Sequence, residues 1–216
     1  NNEQENYQAA NTSVNDGSLH ISAKRETTTI GSTSYDFTSS RIRSHGKVST
    51  TYGYVAAKIK LPAIQGMWPA FWMLPESTYQ KKGWPTSGEI DIMENRGREP
   101  YTVGGTTHSA NTSGADAYHT GSYVLSTSID HWHVYAVEWT SDVIKFSADG
   151  HVYNTVDKAT WVNGNDAYNN GPAPFSAPFY IILNLAVGGN YDGGVLPPDN
   201  FSSAAMDIDY VRVYQK

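Results

Sequence analysis

Gly88-Glu89-Ile90-Asp91-Ile92-Met93-Glu94 sets three carboxylates into a run that otherwise reads as a buried strand. Charged side chains are depleted in strands and costly to bury without partners. On a strand, Ile90 and Ile92 point one way and Glu89 and Asp91 the other. Strict alternation would turn Glu94 to the isoleucine side. One extra residue, Ile92 or Met93 in a β-bulge, would bring it back beside Glu89 and Asp91. Two glutamates on one surface suit cleavage of a glycosidic bond with retention. One carboxylate attacks the anomeric carbon, and the other protonates the leaving oxygen and then activates water, at a separation of roughly 5–5.5 Å. Like charges this close raise at least one pKa, and Asp91 can hold or share its neighbour's proton. An isolated acidic triplet would read as a solvated strand face; the flanking segments reverse that reading.

Those segments are strands. Tyr52 to Leu61 places Val55, Ala57, Ile59 and Leu61 inward and Tyr54, Lys58 and Lys60 outward, and Pro62 stops it. Trp68 to Leu74 is a dense aromatic strand, and the polar loop Glu76 to Ser87 leads from it into the acidic run. His133 to Trp139 is apolar on both faces, as inside a sandwich. Val143 to Phe146 and Val152 to Val156 flank Asp149-Gly150, the clearest hairpin signal. Phe179 to Val187 reads as a buried strand before Gly188-Gly189, and Met206 to Tyr214 as the last strand. Thr27 to Thr38 reads as a loop between short strands, Gly97 and Gly104-Gly105 as loop markers, and Asn163 to Pro178 as a long loop. A helix, if present, is short and near Asp157 to Trp161. The expected architecture is all-β: a two-sheet antiparallel sandwich of jelly-roll type with a concave cleft, formed by one domain over residues 1–216.

Composition narrows the function. A net charge of −6 with only 15 Lys and Arg argues against a nucleic-acid footprint. The chain has no cysteine, which excludes disulfides, cysteine metal sites and thiol catalysis. No window of eighteen apolar residues spans a membrane. Absence of cysteine fits an exported enzyme, and a secreted monomer is the expectation. Trp68, Trp72 and Trp84 could form a sugar platform, because aromatic faces stack on pyranose rings; core packing is the other fate of a Trp. Phe71, on the opposite face from Trp72, is assigned to the core.

The acidic run resembles the signature of glycoside hydrolase family 16, in the longer, bulged form of its laminarinases. Further segments match in family order: Tyr52-Gly53 through Leu61-Pro62, Gly66-Met67-Trp68-Pro69-Ala70-Phe71-Trp72-Met73-Leu74, Gly83-Trp84-Pro85, Tyr135-Ala136-Val137-Glu138-Trp139, Leu183-Asn184-Leu185-Ala186-Val187-Gly188-Gly189 and Asp209-Tyr210-Val211-Arg212-Val213-Tyr214. The resemblance implies endo-hydrolysis of β-1,3-glucan with retention, with Glu89 as nucleophile, Glu94 as acid/base and Asp91 as assistant. By the same resemblance Arg41 bonds sugar hydroxyls, Asn2 lies at the non-reducing end of the cleft and His108 sits by the acid/base. Asn184 is open between a cleft and a core role. Family members usually begin with a further strand that supplies a ligand to a structural calcium; this chain starts after it. Asp209 matches another ligand of that ion, although one carboxylate falls short of the six to eight oxygens calcium wants. Catalysis implies no cofactor. A mixed-linkage β-1,3-1,4-glucanase, a galactan hydrolase and a non-catalytic glucan-binding lectin are the alternatives. The lectin reading sits poorly with three retained carboxylates.

Overall fold

The structure is a computed structural model that describes residues 1–77, 83–111, 113–161 and 174–215. Among these the chain forms β1 (Glu5–Tyr7), β2 (Thr12–Asn15), β3 (Ser18–Ile30), β4 (Thr33–Ser39), β5 (Arg41–Arg43), β6 (Ser49–Thr50), β7 (Gly53–Lys60), β8 (Met67–Pro75), β9 (Glu89–Glu94), β10 (Thr102–Ala110), β11 (Asp116–Val124), β12 (His133–Trp139), β13 (Val143–Ala148), β14 (His151–Asp157), the one-turn helix α1 (Lys158–Trp161), β15 (Phe179–Val187) and β16 (Ser203–Tyr214). They make two sheets. One runs β1-β4-β3-β16-β7-β12-β13-β14, with β2 beside β3; the other runs β11-β10-β9-β8-β15-β5, with β6 beside β15. Every pairing is antiparallel except β1 with β4.

The two sheets share one apolar core. Val55, Ala57 and Ile59 of β7 meet Phe71 and Met73 of β8, Ile90 and Ile92 of β9, and Leu183 and Leu185 of β15, all within that core. Alternation explains the selection: the same strands send Trp68, Trp72, Glu89 and Asp91 to the other face of the second sheet. Phe71 is fully buried, as its phase requires. β15 is buried along its whole length: β8 flanks it on one side and β5 and β6 on the other, and side chains such as Tyr7 and His45 cover its outer face. Between β13 and β14, Asp149 and Gly150 both have positive φ (49° and 80°), the geometry a two-residue hairpin turn needs.

Two sequence expectations change, and one strand went unforeseen. Thr27 to Thr38 is not a loop: β3 and β4 form a hairpin through it, turning at Gly31. Its Ser and Thr residues fit because this stretch is largely solvent-facing, where β-branched polar residues sit well in strands. Gly104-Gly105 lies inside β10 rather than in a loop. A Cβ on Gly105 would stand 2.6 Å from Tyr153 Oη and 2.7 Å from Phe146 on the opposing sheet, so close sheet packing explains this glycine. β11, whose Ala, Ser, Gly and Thr residues carry little hydrophobic signal, was not legible at all. The expected loops reach outside the described residues at 78–82 and at 162–173. No helix among the described residues is long and apolar enough to cross a membrane.

Gly104 and Gly105 provide a test of this packing. Gly105→Ala should lower the unfolding free energy by about 1–3 kcal/mol through overpacking. Gly104→Ala, whose added carbon meets Tyr191 Oη at an ordinary 3.5 Å, should change it far less. Urea unfolding of both variants checks the difference.

Candidate active site

A cleft of about 1040 Å³ lies on the outer face of the second sheet. β8, β9, β10 and β11 supply its floor, and the turns at 83–87 and 190–191 supply part of its rim. Glu89, Asp91 and Glu94 all line it. The bulge is what gathers them. Against β8, Trp72 pairs with Asp91 and Phe71 with Met93, so Ile92 is the extra residue. Against β10, Thr106 pairs with Asp91 and Gly104 with Glu94, so Ile92 and Met93 together oppose Gly105. Ile92 and Met93 both reach the core, and Glu94 returns to the cleft.

Each glutamate receives an indole hydrogen bond. Trp84 Nε1 donates to Glu89 Oε2 at 2.8 Å, and Trp68 Nε1 donates to Glu94 Oε1 at 2.9 Å. Asp91 lies between the glutamates, is 3% exposed, and is hydrogen-bonded to Glu89. His108 pairs across the ladder with Glu89, and its charge also acts on Glu94, the residue it was expected to sit beside. Its Nε2 lies 3.2 Å from Asp91 Oδ2, and its Nδ1 is 2.9 Å from Asp116 Oδ2. Burial pushes all three cleft carboxyls above the ordinary carboxylate range. Asp91 pushes Glu89 up further by its charge and its hydrogen bond, and Glu94 does the same to Asp91 by its charge. For Glu94 the Trp68 bond and the His108 and Arg96 charges pull against burial without cancelling it. These shifts all favour the protonated form, which is the form an acid catalyst uses.

The aromatic residues stand around these carboxylates. Trp68, Trp72 and Trp84 all line the cleft. Trp84 is 57% exposed, leaving a ring face free for a ligand. Trp68 stacks on Tyr191 at 5.2 Å between ring centroids, and Tyr191 lies under the Arg96 guanidinium at 4.5 Å. Arg96 Nε also donates to the Tyr191 carbonyl at 2.8 Å. Tyr191, Arg96, Asp116 and Tyr118 line the cleft and were not singled out from the sequence. No local pattern marks them, because each reaches the site through a non-local strand pairing or turn.

Other expected site residues are placed differently. Asn2 does not line the cleft; Asn1 and Asn190 do, and the Asn2 amide donates to Asn190 Oδ1 at 2.9 Å. Arg41 is held at the N-terminal edge, its guanidinium on Glu3 Oε2 at 2.9 Å and over the Trp72 ring at 5.4 Å. Asn184 is buried and accepts from Trp72 Nε1 at 2.7 Å, which joins the core and cleft readings of that residue. At Asp209 the carboxylate is taken by Lys58 Nζ at 2.7 Å, and it belongs to no cluster of three or more carboxylate or imidazole groups among the described residues, so its side-chain surroundings supply no set of acidic ligands for calcium. Glu89, Asp91 and His108 do bring ligand atoms within 4.8 Å of one another, but in the cleft.

Comparison with known proteins agrees with this geometry. The family model for glycosyl hydrolases family 16 matches residues 2–212. Glucan endo-1,3-beta-glucosidase A1 of Niallia circulans is 41% identical over 214 residues, covering 95% of this chain and 31% of that protein. Beta-glucanase of Rhodothermus marinus is 39% identical over 184 residues, covering 83% of this chain and 63% of that protein. The chain thus spans about a third of the first relative's length and under two thirds of the second's. The laminarinase catalytic domain of Thermotoga maritima superposes with a TM-score of 0.89 at 36% identity, covering 100% of this chain and 84% of that one. With its jelly-roll sheets, its bulged acidic strand and a family match along nearly its whole length, this chain belongs to glycosyl hydrolases family 16.

Proposed function

We propose that this domain cleaves internal bonds of β-1,3-glucan with retention of configuration. The observation that carries the reading is the bulge at Ile92, which sets two indole-bonded glutamates and a buried aspartate on one wall of an aromatic cleft. In the first step the Glu89 carboxylate attacks the anomeric carbon while the Glu94 carboxyl gives its proton to the leaving glycosidic oxygen. In the second, Glu94, now a carboxylate, takes a proton from water, and the water oxygen displaces Glu89 from the sugar. Asp91 accepts the proton that Glu89 must release before it attacks; their hydrogen bond is the route. His108, held by Asp116, faces Asp91 and balances charge on the floor. Trp68, Trp72 and Trp84 supply stacking surface for successive sugar rings. A polymer of glucose is uncharged and calls for no cationic lining, in keeping with a cleft whose one arginine among the described residues, Arg96, is paired with Glu99 at 3.5 Å. Such a polymer lies outside the cytoplasm, which supports an exported enzyme. Product analysis from laminarin, lichenan and agarose tests the substrate: cleavage of laminarin in preference to the others is the expected result, and preference for lichenan would move the assignment to mixed-linkage glucan.

Glu89→Gln should abolish hydrolysis with the fold intact. Glu94→Ala should do so as well, and azide should then restore turnover on an activated aryl glycoside with a β-glycosyl azide as product. An α-azide would show inversion.

Asp91→Asn should cost about 10²-fold in kcat, the scale of a general acid–base contribution, and should raise thermal stability at neutral pH. The sign follows from linkage. A carboxyl whose folded pKa is raised contributes stability below its unfolded pKa, and that contribution is lost as pH rises through the folded value. The stability gain should therefore shrink toward pH 4, near the unfolded pKa of roughly 3.9, and melting curves against pH measure it.

Trp68→Phe keeps the ring beside Tyr191 but deletes the donor that lowers the Glu94 pKa. The coupled carboxylates should then titrate at higher pH, and the pH–rate profile should move in the alkaline direction.

A further inference from the structure

The N-terminal segment is bound to the cleft through a run of hydrogen bonds whose direction is fixed at both ends. At one end Glu3 is a carboxylate and can only accept. Tyr7 Oη donates to Glu3 Oε2 at 2.7 Å. Having given its one proton, the phenol oxygen has two lone pairs left, and both are used: Asn184 Nδ2 donates to it at 3.2 Å and Arg41 Nη2 at 3.3 Å. With its amide nitrogen committed to Tyr7, Asn184 must present Oδ1 on the other side, where Trp72 Nε1 donates to it at 2.7 Å. Trp72 ends the chain because an indole can only donate. Reversing the Asn184 amide would face donor with donor at Trp72, so the two ends demand the same orientation. The Arg41 guanidinium completes the assembly, over the Tyr7 ring at 4.7 Å and the Trp72 ring at 5.4 Å.

The charges agree with this polarity. Against the upward pull of burial, Arg41 and the Tyr7 bond hold the Glu3 carboxyl below its usual range. Burial, with the Glu5 charge beside it, pushes the Tyr7 phenol well above its usual range, so it keeps the proton it donates. Backbone bonds anchor the same segment: Gln4 N donates to the Val187 carbonyl at 2.9 Å, and Val187 N donates to Glu5 Oε2 at 2.7 Å.

We propose that Tyr7 and Glu3 are positioning residues for Trp72: they lock the Asn184 amide in the one orientation that holds the Trp72 indole at the cleft wall as a fixed stacking surface for glucan. This makes Glu3 and Tyr7, which do not line the cleft, part of the substrate site through Trp72. It reassigns Arg41 from a sugar ligand to a clamp between Tyr7 and Trp72. The inference rests on the reading of the cleft as a glucan site.

Tyr7→Phe deletes one oxygen and keeps the ring. In ¹⁵N-indole-labelled protein, the Trp72 Nε1–H resonance should shift upfield and exchange faster with solvent. The KM for laminarin should rise roughly tenfold, the scale of one lost hydrogen bond, with kcat within about twofold. The same substitution in a Trp72→Phe background, which already lacks the indole donor, should add no further KM increase. An unmoved Trp72 resonance, or an equal KM increase in both backgrounds, overturns the proposal. Glu3→Leu, which removes the acceptor at the anchoring end, should give the same indole shift and serves if Tyr7→Phe does not fold. If the unaltered enzyme does not cleave laminarin, the substrate assignment falls, while the indole resonance still decides the network.

Discussion

One extra residue in β9 governs the chemistry of this molecule. A regular strand can present Glu89 and Asp91 to solvent, but its next outward position after Asp91 is Met93, and Glu94 would enter the core. The bulge at Ile92 breaks that alternation once. Both Ile92 and Met93 then reach the core, so the local disruption of the ladder is offset by apolar burial. Glu94 emerges opposite Gly104, beside the stacked Trp68 and Tyr191 rings.

Gathering three carboxylates on a partly dry surface is unfavourable, and much of the surrounding structure answers that cost. The groups that face them are two neutral indole donors and a histidine held between Asp91 and Asp116. A fully charged partner such as lysine at the same position would pin the carboxylates in their ionised form and remove the acid. Indole donors orient the oxygens while leaving the pKa values raised. The site is thus less stable than an apolar surface would be, and this is the usual relation between a working active site and the stability of its fold.

The aromatic walls depend on contacts far apart in the chain. Trp68 is held against Tyr191, which is fixed by Arg96; Arg98 bonds the buried Asp192 next to it at 2.6 Å. Trp72 is fixed through Asn184 and Tyr7 to residues at the start of the chain. Beneath the floor, Gly105 lets Tyr153 and Phe146 of the other sheet approach β10. Each wall is a side chain of the second sheet supported by a loop, a terminus or the first sheet.

The sequence alone determined the all-β class, the inward phase of β7, the opposite faces of Phe71 and Trp72 in β8, the buried character of β15, the Asp149-Gly150 hairpin and the need for a bulge near Ile92. These are local properties: period-two alternation, turn residues with positive φ and the cost of burying a glutamate can all be read within ten residues. It was misread at Thr27 to Thr38 and at Gly104-Gly105, where polar or small residues lie in strands because of what packs against them. It was silent on β11, whose pairing with β10 brings Asp116 to His108. Only the tertiary structure decided that His108 faces Glu89 and Asp91, that Lys58 occupies Asp209, and that Arg41 serves Glu3 and Tyr7. The physical reason is common to all three. Hydrogen-bond partners are set by the register between strands distant in sequence, and nothing in one strand's own residues encodes which neighbour it will meet.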